Sequence, residues 1–409
     1  MGRLAPDRGI LGNYPLARKM HKPENWQFAN FRQRYEAGSG LSRRLRPKSL
    51  AKEVLQPYGT FIGCDAHKKF SVFVAVNEKG QTGEALRVAH DRQLYCEFLA
   101  RLPAHSTIAV EASGSYSWLV DEMERSGHQP RLCNPHEAKR RMGLTNKTDT
   151  LDAKGLAILL RNGTLPEVWI PPRELRDQRE LLRLRIFLVR LRTRVKNRIH
   201  GTLSRHNVQV PGADLFGVAA RLELGTRLPE LPEHSREAVE QELTTLDFLN
   251  TQIKSAEQRL EAIMKVSVEA DLLKTLPCVG KILSMVLMLE IGRVDRFPTA
   301  AHLASYAGLV PRVHSSGGHT RMGQVCGNVN RNLKWAFVEI GNLIVINQRR
   351  LGGVHVVRLY QRIKRAKNHQ KAVIAVARHL AEAAWWVLTK QEVYREPQHS
   401  RLALSSTHG

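Results

Sequence analysis

The hydrophobic positions between residues 59 and 172 recur in short runs that are typical of strands. "TFIGCDA" and "FSVFVAV" predict two strands that meet near Asp65, and "ALRVAH" predicts a third. The runs "STIAVEAS" and "PRLCNP" predict two more strands, and helical spacing separates them around 92–102 and 118–125. Three strands followed by alternating helices and strands predict an α/β domain with a mixed sheet.

From about residue 174 the apolar residues recur every three or four positions, which indicates long helices over 173–268. The first stripe is Leu184, Leu188, Leu191, Val195, Ile199 and Leu203. The second stripe is Val239, Leu243, Leu246, Leu249, Ile253, Ala256, Leu260 and Ile263. The near-heptad spacing predicts a long helical hairpin or coiled coil, and two ordinary amphipathic helices packed within one chain fit equally well. Arginines crowd the polar faces of the first stripe with little acid nearby, so we expect Arg190, Arg194 and Arg198 to contact nucleic acid.

A mostly α-helical unit is predicted over 269–392. The stretch "LKTLPCVGKILSMVLMLEIG" predicts two short helices around a glycine turn, similar to a helix-hairpin-helix that directs backbone N–H groups at phosphate. A plain helical hairpin explains the same residues. Trp385 and Trp386 are expected in its core. Residues 1–58, rich in Arg, Lys, Pro and Gly, predict a poorly ordered basic extension, and 393–409 predict a polar tail.

The charge balance narrows the classes of partner. The chain has 63 Lys and Arg against 38 Asp and Glu, a net charge of +25, which favours a nucleic-acid partner. An acidic membrane surface is the competing partner, but no apolar run reaches the roughly 18 residues of a spanning helix and no signal peptide opens the chain. We therefore expect a soluble intracellular protein. The five cysteines show no C-x-x-C pair, so they are expected to be buried hydrophobic side chains rather than disulfides or zinc ligands.

Four carboxylates stand out in this basic chain. Asp65 and Glu111 end predicted strands, and Asp149 and Asp152 open a predicted helix in "TNKTDTLDAKGL". Taken alone, Asp149 would be a helix cap and the strand-end acids would face solvent. Taken together, four acids at one edge of a sheet would repel each other unless a cation compensates them. Oxygen ligands of this kind suit Mg²⁺.

A glycine-rich segment, "PRVHSSGGHTRMG", carries a second candidate chemistry. Such a segment is usually a flexible connection. However, Gly317 and Gly318 would let the backbone approach a phosphate, and Arg312 and Arg321 would stabilise charge developing on it. A serine hydroxyl here could attack a phosphodiester and keep its energy in a covalent bond. Chemistry alone does not separate Ser315 from Ser316, and His314 is a weaker candidate for the activating base.

These residues resemble a known family. The order Asp65, Glu111, Asp149, Asp152 is similar to the D-E-D-D motif of the DEDD transposases of bacterial insertion sequences, the IS110 family, whose relatives include the Piv-type DNA invertases. The blocks "GCDAHK", "VEASGSY", "KTDTLDAKGLA", "LPEVWIP" and "YAGLVPRVHSSGG" carry the resemblance, which covers about residues 59–390.

The resemblance implies a RuvC-like (ribonuclease H fold) domain over 59–172, a coiled-coil segment and a C-terminal transposase domain. It implies that Asp65, Glu111, Asp149 and Asp152 bind Mg²⁺ or Mn²⁺ and that Ser316 is the nucleophile. "GNVNRNLKWAF" resembles the family's basic Gly-Asn block, so Arg331 and Lys334 are expected to contact the DNA backbone. The chain departs from the family at "GQVCGNVN", where many relatives have a more basic Ser-Lys-x-Gly-Asn stretch, and residues 1–58 have no counterpart in typical members.

The implied function is a transposase or site-specific recombinase that moves an insertion sequence through a circular intermediate. Its implied partners are the element ends and target DNA, a structured guide RNA encoded by the element, and further copies of the chain in a dimer or tetramer. It would act in the bacterial cytoplasm, on the nucleoid. The competing hypotheses are a RuvC-like junction nuclease that hydrolyses DNA without the serine, and a non-enzymatic nucleic-acid scaffold. A sugar-kinase or actin-type ATPase is disfavoured because no glycine-rich phosphate loop follows the first strand.

Overall fold

The computed structural model describes residues 61–143, 148–212, 214–265, 267–325 and 329–397. The predicted basic extension and most of the predicted tail lie outside these residues. The chain divides between Pro166 and Glu167 into two compact units.

The first unit is built on one five-stranded mixed sheet, as the sequence predicts. Its strands lie in the order β3-β2-β1-β4-β5. β1 pairs in parallel with β4, and β4 with β5, whereas β2 runs antiparallel to both β1 and β3. The strands are β1 (Phe61–Ala66), β2 (Phe70–Val76), β3 (Leu86–Ala89), β4 (Thr107–Glu111) and β5 (Gln129–Cys133).

Among the described residues of the first unit, four helices accompany the sheet, and the last of them lies directly on it. They are α1 (Arg92–Leu99), α2 (Tyr116–Arg125), α3 (Pro135–Met142) and α4 (Asp149–Arg161). α4 packs against β1 at Gly63, where an added Cβ would lie 1.9 Å from the carbonyl oxygen of Ala153. Only glycine therefore permits this approach of helix to strand.

The sequence predicts that the cysteines are buried, which holds for two of the three described in this unit but not for Cys96, which is half-buried. Cys64 and Cys133 are buried and unpaired. Burial raises the pKa of each thiol to about 12, so both stay protonated and unreactive at neutral pH.

The second unit begins with a long helical hairpin. α5 (Arg173–Arg205) packs along α7 (Glu233–Met264), and α6 (Val218–Arg227) lies between them in the chain. The predicted stripe of α7 is buried from Val239 to Leu260. The predicted stripe of α5 is wrong at its start, since Leu184 is 41% exposed and Leu182 and Ile186 are buried instead. The reason is that the first turns of α5 join the core of the C-terminal helices as well as α7.

The C-terminal part is mostly helical, as predicted, and contains one β-hairpin. Its elements are α8 (Val268–Lys274), α9 (Lys281–Ile291), α10 (Ala300–Tyr306), β6 (Pro311–Ser316), β7 (His319–Val325), α11 (Arg331–Ile346), α12 (His355–Ala366) and α13 (His369–Lys390). The connection from α8 to α9 takes its left-handed residue at Cys278, with φ 59°, rather than at Gly280. The glycine-rich segment predicted as a loop is the turn of the β6–β7 hairpin.

α13 is the central helix of this core. Among the described residues it is the one helix with the length and apolar content to cross a membrane, yet half of its most apolar stretch is buried within the unit. Trp385 packs as expected, and its indole N–H donates to the carbonyl oxygen of Phe297 at 2.9 Å. The same expectation is wrong for Trp386, which is 51% exposed.

Candidate active site

Two of the predicted carboxylates end neighbouring parallel strands. In the register of β1 against β4, Cys64 lies beside Val110, so the next residues, Asp65 and Glu111, follow at the same edge of the sheet. The carboxyl ends of parallel strands are where functional side chains of such sheets gather. Asp65 is buried at this edge and Glu111 is half-buried.

The other two carboxylates lie in the first turns of α4. The hydroxyl of Thr148 accepts a hydrogen bond from the backbone N–H of Leu151 at 3.2 Å, so Thr148 is the N-cap. The alternative in which Asp149 caps the helix is therefore wrong. Asp149 is the first residue of α4, and its carboxylate is available for other contacts.

A histidine that the sequence analysis did not identify contacts one acid of the strand-end pair and one acid of the α4 pair. Nε2 of His67 lies 3.0 Å from Oδ2 of Asp65 and 3.3 Å from Oδ2 of Asp149. The imidazole thus brings a strand-end acid and a helix-start acid around one point. A signal was present in the sequence, because His67 follows Asp65 by two positions and side chains two apart on extended backbone share a side.

Asp152 belongs to the same electrostatic environment. Burial raises the pKa of Asp65, the neighbouring His67 lowers it, and the charges of Asp152 and Asp149 raise it further. The net direction is upward. Such mutual repulsion is what a bound cation relieves.

The donor set fits a divalent metal ion. One atom each from Asp65, His67 and Asp149 lies within 4.8 Å of the others, which is close enough for a shared ion. Carboxylate oxygens are hard ligands, and Mg²⁺ in proteins is usually held by a few carboxylates and keeps other positions for water or phosphate. Of the other two acids, Asp152 acts on Asp65 electrostatically from α4 and Glu111 ends β4, and neither belongs to this three-residue group.

In the second unit, the strand register of the β6–β7 hairpin places Ser315 and Ser316 on opposite faces. Gly317 and Gly318 have φ of 56° and 79° and form the two-residue turn between β6 and β7, a conformation with both central residues left-handed. Ser316 pairs with His319 across the turn, whereas Ser315 pairs with the next residue along. Successive residues of a strand face opposite sides. Ser316 therefore shares a face with His319 and Arg321, and Ser315 lies on the other face.

The base of this serine hairpin is closed by Asn330. The backbone N–H of Asn330 donates to the carbonyl oxygen of Tyr306 at 3.1 Å, which joins the N-cap of α11 to the end of α10. The side chain of Asn330 caps α11 by accepting from Leu333 N at 3.0 Å. Nearby, Gly308 has φ 68° and packs against Val329. The end of α10, before the hairpin, and the start of α11, after it, are thus held together.

A buried glutamate that the sequence analysis did not identify holds Asn330 in place. Glu290, on α9, is fully buried and accepts from both Asn330 and Asn332, at 2.8 and 3.0 Å. Arg183 donates to its two oxygens from α5, each at 3.1 Å. Burial raises the pKa of Glu290, but the hydrogen bonds from Arg183 and Asn330 outweigh it and the net pKa is lowered. A charged Glu290 therefore links α5, α9 and the start of α11.

Two transposase family models match this chain. Residues 62–208 match the transposase model of the IS110 DEDD type, and residues 270–352 match the model described as "Transposase IS116/IS110/IS902 family". Together the two ranges cover more than half of the chain. The chain belongs to the IS110 family of transposases. The family resemblance inferred from the sequence is thereby confirmed.

Several relatives of this IS110-family transposase match along most of its length. It is 25% identical to the transposase of insertion sequence IS1328 from Yersinia enterocolitica, over 83% of this chain and 99% of that protein. It is 24% identical to the transposase of IS1111A from Coxiella burnetii, over 82% and 91%. It is 27% identical to the pilin gene-inverting protein of Moraxella lacunata, over 63% and 74%.

The residues predicted to bind nucleic acid have differing surroundings in the transposase. Arg190 and Arg194 on α5 are exposed, as are Arg312 and Arg321 on the serine hairpin. Arg198, however, forms an ion pair with Glu242. The expectation of little acid near the α5 arginines is wrong there, because α7 supplies it.

The two cations after the hairpin lie at the start of α11. Arg331 is exposed and Lys334 is half-buried. Asn330 and Asn332, in the same Gly-Asn block, point instead to Glu290. Among the described residues of this block, Asn330 and Asn332 thus maintain the fold, whereas Arg331 and Lys334 take no part in this network.

Proposed function

We propose that this transposase cuts and rejoins DNA with two groups of residues. Asp65, Glu111, Asp149 and Asp152 would hold Mg²⁺ or Mn²⁺, and Ser316 would be the nucleophile. The observation that carries the proposal is the convergence of Asp65 and Asp149 on Nε2 of His67, with Asp152 acting on the same carboxylate. A bound divalent metal would stabilise negative charge on the attacking and leaving oxygens of a phosphodiester.

We further propose the RuvC-like (ribonuclease H) fold for the first unit. The strand order β3-β2-β1-β4-β5, with β2 antiparallel to its neighbours, supports this proposal. So does the position of the acids at the ends of the two central parallel strands and at the start of a helix packed on them. Such a fold would explain why the four acids, far apart in sequence, serve one site.

The serine step conserves the energy of the broken bond. Oγ of Ser316 would form a bond to phosphorus while the bond from phosphorus to a deoxyribose oxygen breaks. The serine proton would pass to a nearby base, and the departing deoxyribose oxygen would gain a proton. In rejoining, a hydroxyl at another DNA end attacks the phosphoserine and releases Ser316. No external energy source is required, which suits recombination.

Arg321 supports Ser316 over Ser315 as the nucleophile. It shares the face of the hairpin with Ser316 and is exposed, so its guanidinium would stabilise charge on the attacked phosphate. Ser315 lies on the opposite face. Ser315→Ala is therefore the matched control for Ser316→Ala.

The partners follow from the family resemblance and the charge. DNA at the element ends and target, together with a structured guide RNA, would account for a net charge of +25. The relation to a protein named for inverting a pilin gene supports site-specific recombination. The enzyme would act on the bacterial nucleoid in the cytoplasm.

A dimer or tetramer contact is proposed on the α5–α7 hairpin. Phe187 on α5 is 55% exposed and Phe248 on α7 is 61% exposed, which is unusual for large apolar side chains on paired helices. A coiled-coil contact with a second copy would bury them. Phe187→Ser with Phe248→Ser should lower the mass measured by light scattering to that of a monomer, and an unchanged oligomer would reject this contact.

The test of the mechanism is a covalent-adduct assay. Purified protein is incubated with Mg²⁺ and DNA carrying the joined element ends, with and without RNA transcribed from the element's flank, and separated on a denaturing gel. A protein–DNA adduct is expected for the wild type and for Ser315→Ala. It should be absent for Ser316→Ala and for Asp149→Asn.

Each competing hypothesis predicts a different set of products on the denaturing gel. Cleaved DNA without an adduct, unaffected by Ser316→Ala, would indicate a RuvC-like junction nuclease. Intact DNA in every lane, with binding that ignores Mg²⁺, would indicate a nucleic-acid scaffold. An equal amount of protein–DNA adduct with and without RNA would reject the guide RNA but would still support Ser316 as the nucleophile.

A further inference from the structure

A strongly basic segment lies outside every nucleic-acid contact considered so far. Residues 349–371 contain eight Lys and Arg and no Asp or Glu. The segment comprises the end of one loop, all of α12 and the start of α13, and every residue in it is described. The eight cations are Arg349, Arg350, Arg358, Arg362, Lys364, Arg365, Lys367 and Lys371.

α12 separates its apolar and basic residues onto opposite faces. Val356, Val357 and Tyr360 are buried against the unit. The spacing of Arg358, Arg362 and Arg365 by four and three residues places them on one side of a helix, away from those buried positions. We call these three residues the α12 arginine face. At 1.5 Å per residue it extends about 10 Å along the helix.

The α12 arginine face is held on a rigid support. The hydroxyl of Tyr360 lies 2.9 Å from Nδ1 of His369 at the start of α13, and Lys367 and Asn368 join the two helices directly. Arg358 donates to the carbonyl oxygen of Gly353 in the preceding loop. Arg362 and Arg365 are exposed to solvent. The arginines of α12 are therefore presented along one side of a helix that is held at both ends.

Carboxylates do not neutralise this row within the described part of the chain. None of the eight cations takes part in the ion pairs of the described residues, whereas arginines elsewhere in the unit do. Arg227 pairs with Glu223 at 3.0 Å, Arg293 with Asp295 at 2.5 Å and Arg378 with Glu382 at 2.9 Å. A dense row of like charge repels itself and accumulates counterions, which a polyanion would release on binding.

We propose that the α12 arginine face, with the flanking cations of residues 349–371, binds the phosphate backbone of double-stranded DNA. Arginine recognises phosphate through paired N–H donors, and contacts to phosphate position a duplex without reading its sequence. We assign DNA as the ligand of this surface because the chain is a transposase. The inference deepens the proposed function, since this would be DNA that the enzyme cuts. It requires neither Ser316 nor the carboxylates.

The test is the salt dependence of binding by the full-length protein without Mg²⁺, so that no chemistry contributes. A fluorescein-labelled duplex of arbitrary sequence is titrated between about 50 and 200 mM salt, and log Kd is plotted against log salt. Replacing the α12 arginine face by Arg358→Gln, Arg362→Gln and Arg365→Gln should reduce the slope by about 2 to 3, since each phosphate that is no longer neutralised lowers it by about 0.9. Affinity at about 100 mM salt should fall at least tenfold.

The matched control removes the same charge elsewhere in the unit. Arg227→Gln, Arg293→Gln and Arg378→Gln together lower the net charge equally but remove arginines already paired with acids. This variant should keep the wild-type slope. Glutamine is a good helix former, so α12 should persist, as circular dichroism will verify. If the triple variant unfolds, the Arg362→Gln/Arg365→Gln variant keeps Arg358 and should show about two-thirds of the effect.

Two results would overturn the proposal. One is a slope for the α12 variants no smaller than that of the matched control. The other is a reduced slope on a labelled RNA hairpin with no reduction on duplex DNA, which would assign the surface to RNA. Failure of the adduct assay would leave this binding result unchanged, so the two proposals fail separately.

Discussion

Replacement of Glu290 by glutamine should destabilise the second unit more than any single exposed ion pair does. The carboxylate accepts four hydrogen bonds, two from Arg183 and one each from Asn330 and Asn332. All four come from N–H donors. In Glu290→Gln, one oxygen becomes an NH₂ group that faces donors, so two hydrogen bonds are broken and the guanidinium keeps no buried counter-charge.

The expected loss of unfolding free energy follows from these hydrogen bonds. Leaving buried polar groups unpaired costs about 1 to 3 kcal/mol each, and breaking a buried ion pair costs about 3 to 5 kcal/mol. We expect about 3 kcal/mol for Glu290→Gln, which corresponds to a fall in Tm of about 6 to 12 °C for a unit of this size. Glu223→Gln, which removes an exposed partner of Arg227, should cost less than about 1 kcal/mol.

Urea unfolding followed by tryptophan fluorescence is a suitable assay. Four of the six tryptophans, Trp169, Trp335, Trp385 and Trp386, lie in the second unit, so the signal reports mainly on it. A double-mutant cycle with Arg183→Gln should show a coupling of about 1 to 3 kcal/mol, because the two residues share one network. A destabilisation for Glu290→Gln no larger than that for Glu223→Gln would refute the reasoning.

The pH dependence supplies an independent readout. The pKa of Glu290 is held below its ordinary value of 4.5 in the folded protein. Its contribution is therefore complete above about pH 4.5 and is lost as pH falls through the lower folded pKa. The difference in unfolding free energy between wild type and Glu290→Gln should shrink below pH 4.5. A difference that stays constant down to acid unfolding would contradict a charged Glu290.

Three further predictions concern the first unit. Gly63→Ala should force α4 away from β1, because the atoms nearest to the added Cβ belong to the backbone of α4. The unfolding free energy should fall by about 3 kcal/mol, and Mg²⁺ binding measured by calorimetry should weaken. Gly114→Ala, where a Cβ would meet open space, should change neither the stability nor the Mg²⁺ binding. Thr148→Ala should cost about 1 kcal/mol in urea unfolding, whereas Thr148→Ser keeps the cap. His67→Ala should lower stability in EDTA by about 0.5 kcal/mol through repulsion between Asp65 and Asp149, and excess Mg²⁺ should remove that difference.

The sheet and the strand-end acids could be predicted because their signals are local. Each strand of the first unit carries its own hydrophobic run, and Asp65 and Glu111 are recognisable as charges at the ends of such runs. Their common edge follows from parallel pairing. What the runs do not encode is how closely α4 approaches β1, and only Gly63 hinted at that contact.

The sequence pattern predicts a loop where the structure has the serine hairpin, and the reason is identifiable. Its strands carry polar residues and glycine rather than alternating apolar ones, so the usual period of two is missing. The Gly-Gly pair between two extended runs is nevertheless a hairpin signal. That pair predicts the turn, and with it the opposite orientation of Ser315 and Ser316.

Glu290 could not be linked to its partners from the sequence, because they lie in segments that look independent. A charge within the apolar run "SMVLMLEIG" was as noticeable as Glu111, but Arg183 precedes it by 107 positions and Asn332 follows by 42. The pattern assigned Arg183 to the polar face of a long helix and the Gly-Asn block to DNA contact. In the folded unit both turn toward one carboxylate. The base of the serine hairpin is thus anchored to α5, so the placement of the proposed nucleophile depends on a helix that sequence analysis assigns to a different segment.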